Sequence, residues 1–120
     1  MKLTLKEIDK DGVIHLGAEG QITSLDFHEQ NRNPLEALIG TDWPRNRVIL
    51  DLDHVSYVDS TAIGWLVSCH KKFKEAGGMM ILHSIHPSVQ QVFDMLKIGT
   101  LFPLASDRDA AKARAVGAKA

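Results

Sequence analysis

The sequence predicts an α/β domain, and three stretches carry the prediction. "RVILDL" (Arg47–Leu52) and "MMILH" (Met79–His83) are short apolar runs rich in β-branched and aliphatic residues, the composition of strands covered on both faces. Between them, Ala62, Leu66, Cys69, Phe73 and Ala76 recur at helical spacing over Thr61–Ala76, with Ile63 beside the stripe. Strand, helix, strand and a further helix in succession imply right-handed crossovers and a parallel pair of strands. "RVILDL", the more continuous run, belongs at the centre of the sheet.

The remaining elements follow from local chemistry. Leu3 and Leu5 alternate with Thr4 and Lys6, and Val13, Ile14 and Leu16 follow "DKDG", which reads as a β-hairpin turning at Asp11-Gly12. Gly17 and Gly20 then loosen the chain. Leu35, Leu38 and Ile39 after Pro34 predict a helix over Pro34–Ile39, because proline is tolerated in a first helical turn; a start as early as Ser24 stays open. "GTDWPRN" (Gly40–Asn46) reads as a polar loop. Gly77-Gly78 supplies a left-handed helix stop. Pro87 opens a helix whose inner face is Val89, Val92, Phe93 and Leu96. In the Ala-rich end, Ser106 is placed to cap a short helix with Asp107 and Asp109 in its first turn, followed by a frayed tail.

Composition narrows the function. With 120 residues the chain fits one domain, 1–120, able to bury a core without staples. Its 14 Lys and Arg are dispersed and offset by 15 Asp and Glu, so no basic face for nucleic acid is expected. Cys69 is the only cysteine, which excludes an internal disulfide. The start "MKLTLKEIDK" has no apolar signal region, and no stretch approaches the ~20 apolar residues that span a bilayer. A cytoplasmic protein with no direct membrane insertion is the expectation.

Chemistry-bearing residues gather at "YVDSTAIGW" (Tyr57–Trp65), where the strand pattern gives way to the helix. Asp59 is positioned as the helix N-cap, with Ser60 and Thr61 in the first turn. One polar residue suffices for a cap, and here there are three. A hydroxyl at a helix N-terminus is also where a phosphate is best received, by free amides and the helix dipole. Ser60 as a catalytic nucleophile would need a base and an oxyanion hole, and "DSTAIG" is not the G-x-S-x-G elbow. Gly64, with Ala62 and Thr61, makes a small-residue face beside Trp65, a reasonable place for protein docking. His83 and His86 form an H-x-x-H pair without the i, i+4 geometry of a zinc helix, and read as solvated loop residues. Asp51, Asp53 and Asp59 read as a local acidic patch. No metal site and no cofactor are expected.

The ordered set of apolar strand, D-S-T, helix, G-G, strand, "HPSVQQVFDMLKI" and "LFP" closely resembles the STAS domain, the fold shared by anti-sigma factor antagonists and the cytosolic tails of sulfate transporters. The resemblance implies a mixed four- to five-stranded sheet with helices packed mainly on one face. For stand-alone members it implies a non-enzymatic switch. The unphosphorylated antagonist binds an anti-sigma factor that is also a serine kinase of the histidine-kinase-like ATPase type. Phosphorylation of the serine after the motif aspartate, Ser60 here (Thr61 is the alternative), releases it, and a PP2C-type phosphatase reverses the mark. The implied partner surface is Asp59, Ser60, Thr61, Ala62, Ile63, Gly64, Trp65 and Thr23. Three features depart from the family: Ala62 stands where it has glycine, "GQIT" (Gly20–Thr23) where it has "GELD", and Ser24–Asn46 is longer than typical. The rival reading is an unphosphorylated STAS scaffold in a lipid-type transporter or signalling complex.

Overall fold

The computed structural model describes residues 1–27, 33–101 and 103–117. Five strands form one mixed sheet in the order β1 (Lys2–Ile8), β2 (Val13–Ile22), β3 (Arg47–Val58), β4 (Met79–His83) and β5 (Leu104–Ala105). β1 runs antiparallel to β2, and β2, β3, β4 and β5 run parallel. The expected hairpin and central strand are both present. Asp9 holds the hairpin turn, its Oδ1 accepting the N–H groups of Asp11 and Val13.

The period of two sorts β2, β3 and β4 between two cores. Ile14, Leu16, Val48, Leu50, Leu52, Met80 and Leu82 face one side, where α1 (Pro34–Ile39), α2 (Ser60–Ala76) and α3 (Pro87–Met95) add Leu35, Leu66, Phe73, Val89 and Phe93. Val13, Ile49 and Ile81 face the other, where Ala111 and Ala115 of α4 (Arg108–Gly117) cover them and Met79 and Ala105 pack alongside. Helices therefore lie mainly on one face, and α4 is the exception. Its alanines let it approach closely. Each large apolar side chain in the main core contributes on the order of 2 kcal/mol relative to exposure.

Several boundaries differ from the sequence reading. α1 begins at Pro34, where Asn33 Oδ1 accepts from Leu35 N–H, and Ser24–Phe27 is a separate 3-10 turn. The loop residue Trp43 is buried, edge-on against Phe73 with ring centroids 5.1 Å apart. Ala76 is exposed, so the stripe on α2 ends at Phe73. Leu96 lies past the end of α3 and is 50% exposed; the nine-residue helix is too short to carry it inward. Asp107, not Ser106, caps α4, accepting from Ala110 N–H at 2.8 Å, because a carboxylate three residues upstream fits that amide. His83 is buried as the last residue of β4 rather than solvated. Phe102 of "LFP" and the expected frayed end at 118–120 lie outside the described residues. Among those residues no helix is long and apolar enough to cross a membrane.

The end of α2 shows why two glycines are needed. Gly77 takes the left-handed conformation at φ 86°, and Gly78 N–H returns to Phe73 O at 2.9 Å. A Cβ on Gly78 would collide with the carbonyl oxygens of Pro44 and Asn46. Those are backbone atoms and have little room to yield. Gly78→Ala should lower stability by about 1–3 kcal/mol, read as an earlier urea midpoint.

Ionic contacts pin the sheet margins. Asp9 Oδ2 receives His15 Nε2 at 2.8 Å and Lys112 Nζ at 2.9 Å, tying the hairpin to α4; these bonds, that of His15 foremost, hold the Asp9 carboxyl far below the usual carboxylate range. Burial alone would raise Asp26, but the amino terminus at 2.6 Å and the Thr23 N–H outweigh it and lower the carboxyl. Burial lowers His83, against the opposing pull of Asp51. All three groups bind protons less readily folded than unfolded, so the stability they contribute is present at neutral pH and lost on acidification. The urea midpoint should fall first below about pH 6.5, and more steeply below about pH 4 as the carboxylates are forced to protonate. His83→Leu should shrink the first fall; an unchanged profile would contradict this assignment.

Candidate functional site

β3 delivers the chain to the site by ending on buried Val58, after which Asp59 is extended with φ −100° and ψ −179°. Asp59 is a junction of four hydrogen bonds. Its Oδ1 accepts from Ala62 N–H at 2.9 Å, which is the predicted cap, and its Oδ2 accepts from Ser24 N–H at 2.9 Å. Its own N–H donates to Ile22 O at 3.2 Å, and its carbonyl accepts from Ile63 N–H at 3.1 Å. One residue thus joins the exit of β2, the following 3-10 turn and the start of α2. The Ser24 bond spans 35 positions, and no local pattern announces it.

With the carboxylate spent, the hydroxyls beside it are left outward. Ser60 and Thr61 are exposed in the first turn of α2, and no side-chain bond engages either among the described residues. Gly64 is exposed one turn further on, and a Cβ placed there meets nothing within 4 Å. Internal packing therefore does not require glycine at this position. Ile63 and Trp65 are half-buried, and Trp65 packs on Phe27 with ring centroids 5.1 Å apart. Ala62 departs from the expected surface: it is fully buried, because the helical stripe turns its methyl into the core. Thr23 shapes the neighbouring turn, its Oγ1 accepting from Leu25 N–H and its own N–H donating to Asp26 Oδ2.

Two exposed residues beside the site were not singled out from the sequence. Leu25, next to the Ser24 that Asp59 holds, is 72% exposed, and Tyr57, two residues before Asp59, is 51% exposed. Tyr57 carries a signal in hindsight, since a strand residue that breaks the inward alternation near a chain turn is free to face out. Leu25 carries none, because its placement depends on the long-range Asp59–Ser24 bond. The start of α3 is tied to the same strand end, where Ser88 Oγ donates to Ser56 O at 3.0 Å.

The other candidate chemistries find different surroundings. His54 lines a polar hollow with Lys6, Glu19 and Asp51. His70 lies ten residues along α2 from Ser60, roughly 15 Å by helix rise. Among the described residues no histidine bonds to Ser60, so no nucleophile–base pair is assembled. His83 Nδ1 meets Ser84 Oγ and His86 Nδ1 meets Ser88 Oγ, each at 2.8 Å, so one nitrogen of each ring in the H-x-x-H pair is engaged by a neighbouring serine. Asp51 is held by Lys6 at 3.0 Å and by Asp53 N–H, and the described residues hold no cluster of three ligands suited to a metal. Burial pushes the Cys69 thiol up to about 11, against a bond from Asn33, which leaves it an inert core residue.

The family profile of the STAS domain matches residues 3–111. The chain belongs to the STAS domain family. A Bordetella bronchiseptica protein provisionally named anti-sigma factor antagonist BtrV is 30% identical over 115 residues, covering 94% of this STAS domain and 93% of the relative. The crystal structure of a Thermotoga maritima protein provisionally described as an anti-sigma factor antagonist matches with TM-score 0.76 at 18% identity, covering 91% of each chain. The anti-sigma factor antagonist SpoIIAA in its unphosphorylated form matches with TM-score 0.65 at 16% identity, covering 97% of this chain and 98% of that one. These structures share the fold.

The geometry separates the two roles in D-S-T. Asp59→Ala should cost about 1–2 kcal/mol, since it removes a cap and leaves Ser24 N–H without its acceptor, whereas Ser60→Ala should stay within about 0.5 kcal/mol of the parent. Urea titration of both variants checks this. A costly Ser60→Ala would mean that the hydroxyl has a structural duty.

Proposed function

We propose that this STAS domain is an anti-sigma factor antagonist acting by partner switching, with Ser60 as its phosphoacceptor. The observation that carries the reading is the division of labour at the helix start: Asp59 is fully occupied in holding the fold, while the adjacent Ser60 hydroxyl is exposed and unengaged. The names of the relatives supply the class of partner. The unphosphorylated domain would dock on an anti-sigma factor that is also a serine kinase of the histidine-kinase-like ATPase type, with a PP2C-type phosphatase restoring it.

Physical chemistry accounts for how one phosphate acts as a switch. It adds about 1.5–2 negative charges at the N-terminus of α2, where the dipole and first-turn amides favour an anion, so the fold tolerates it. At a closely packed interface the same charges, beside the Asp59 carboxylate, bring repulsion and desolvation cost. The open space over Gly64 suits a partner surface that comes near the helix backbone, with Leu25, Tyr57 and Ile63 offering apolar contact around it. Thr61, also exposed, is the alternative acceptor.

Incubation with the cognate kinase and ATP should add the mass of one phosphate, and Ser60→Ala should abolish it; a mass gain that persists, on Thr61 or elsewhere, contradicts the assignment. Capture of the kinase by the parent domain, lost with Ser60→Asp, should accompany it. Capture unaffected by Ser60→Asp would support the scaffold reading. Gly64→Ala should raise helix stability by about 0.5–1 kcal/mol while weakening capture, a split that internal packing alone would not produce.

A further inference from the structure

On the sheet face away from α2, the helix that covers the apolar strip is lightly fastened. α4 shields Val13, Ile49 and Ile81 with Ala111 and Ala115, whose methyl groups remove far less apolar surface from water than Leu66 and Phe73 of α2 do. Its longer side chains reach the rest of the fold through polar bonds. Lys112 Nζ meets Asp9 Oδ2 at 2.9 Å and Asp11 Oδ2 at 3.1 Å, and Arg114 Nη1 donates to Leu104 O at 3.0 Å. Between α4 and the hairpin lies an open hollow of about 250 Å³ lined by Glu7, Asp9, His15, Arg108, Asp109 and Lys112, so that side of the helix has charged groups and no apolar seam. A helix of 10 residues is marginal by itself in water, so α4 keeps its shape only while docked.

His83 shares this face with Ile81 by the period of two, and it is 2% exposed. The charged and titratable groups acting on it come from four elements: Asp51 of β3, Lys6 of β1, His15 of β2 and Arg108 of α4. The Asp51 carboxylate already receives Lys6 Nζ and the Asp53 N–H, so a proton on His83 would add a buried charge among existing cations. We propose that α4 is an acid-sensitive strap: hinged at the exposed Ser106–Asp107 segment, it lifts from the sheet as a unit while the main core stays folded, and protonation of His83 favours the lifted form. Lifting bares Val13, Ile49 and Ile81 and admits water to His83. Burial makes the covered ring harder to protonate than a wetted one, so acid shifts the balance toward release. The strap lies across the sheet from α2, and its release is independent of Ser60.

Native-state amide hydrogen exchange of the whole chain, in urea below its unfolding transition, tests this directly. Near pH 7 the Ala111, Lys112 and Ala115 amides should exchange as one set, about tenfold or more less protected than those of Ile49 and Leu50 in β3, and with little response to urea, because lifting one short helix exposes little surface. At about pH 5.5 that opening should be about fivefold more populated, since a wetted histidine protonates near pH 6.5 and the covered one resists. His83→Gln, which can still bond Ser84 but cannot titrate, should remove most of the rise. In the parent chain the rise should level off where the His83 ring resonance itself titrates, a readout that needs no variant. Amides of α4 whose protection and urea response match those of β3 overturn the proposal. So does an α4 opening that is equally populated at both pH values, that rises as much in His83→Gln, or that levels off at a pH unrelated to the His83 titration.

Discussion

The structure depends on how the Asp59 carboxylate is divided. One oxygen fixes the first turn of α2 and the other fixes the turn after β2, while the backbone of the same residue continues the parallel pairing of β2 and β3. A parallel pair needs a long connection, and here it runs through residues 23–46 before the chain returns as β3. Such a connection has many ways to lie against the sheet. The Asp59–Ser24 bond fixes where the connection leaves β2, and Leu25 is the exposed residue that follows it. The Phe27–Trp65 contact and the Asp26 bond to the amino terminus help to hold the same turn, and the Asp59 side chain at the centre is itself unavailable for other chemistry.

That arrangement makes a modification at Ser60 a surface event. The core beneath α2 is anchored by Ala62, Leu66, Cys69 and Phe73, all fully buried, and none of these contacts involves the hydroxyl. Charge added at the first turn meets the favourable end of the helix dipole. Folding stability and partner affinity would thereby be separable, as the proposed switch requires: a modified form would have to persist, folded, until it is reset.

Much of the fold was legible because its signals are local. The alternation of Leu3, Leu5 and Val13 to Leu16, the run of "RVILDL" and the stripe from Ala62 to Phe73 each specify an element without knowledge of the rest. The misreadings share one cause, which is tertiary context. Trp43 looks like a loop residue until Phe73 is brought against it, Ala76 belongs to the stripe by spacing but lies past the edge of the core, and His83 looks polar and exposed until β4 is set between two neighbours. At the site, the cap and the exposed serine follow from residue types at a strand–helix junction. Ala62 shows the limit of reading a motif as a surface, since helical periodicity sends its methyl into the core whatever its neighbours do. The roles of Ser24 and Leu25 were hidden for a similar reason, because both depend on a bond to a residue 35 positions away.

The central claim is that a phosphate on Ser60 changes what this surface can bind and leaves the Asp59 junction in place. Site-resolved amide hydrogen exchange, comparing the unmodified and Ser60-phosphorylated chains, tests it most directly. The account predicts that the Ala62 and Ser24 amides, the two donors to the Asp59 carboxylate, stay as protected after modification as before. Loss of protection at either one, with the first turn of α2 fraying, would show that the phosphate acts by melting the helix start and would contradict it.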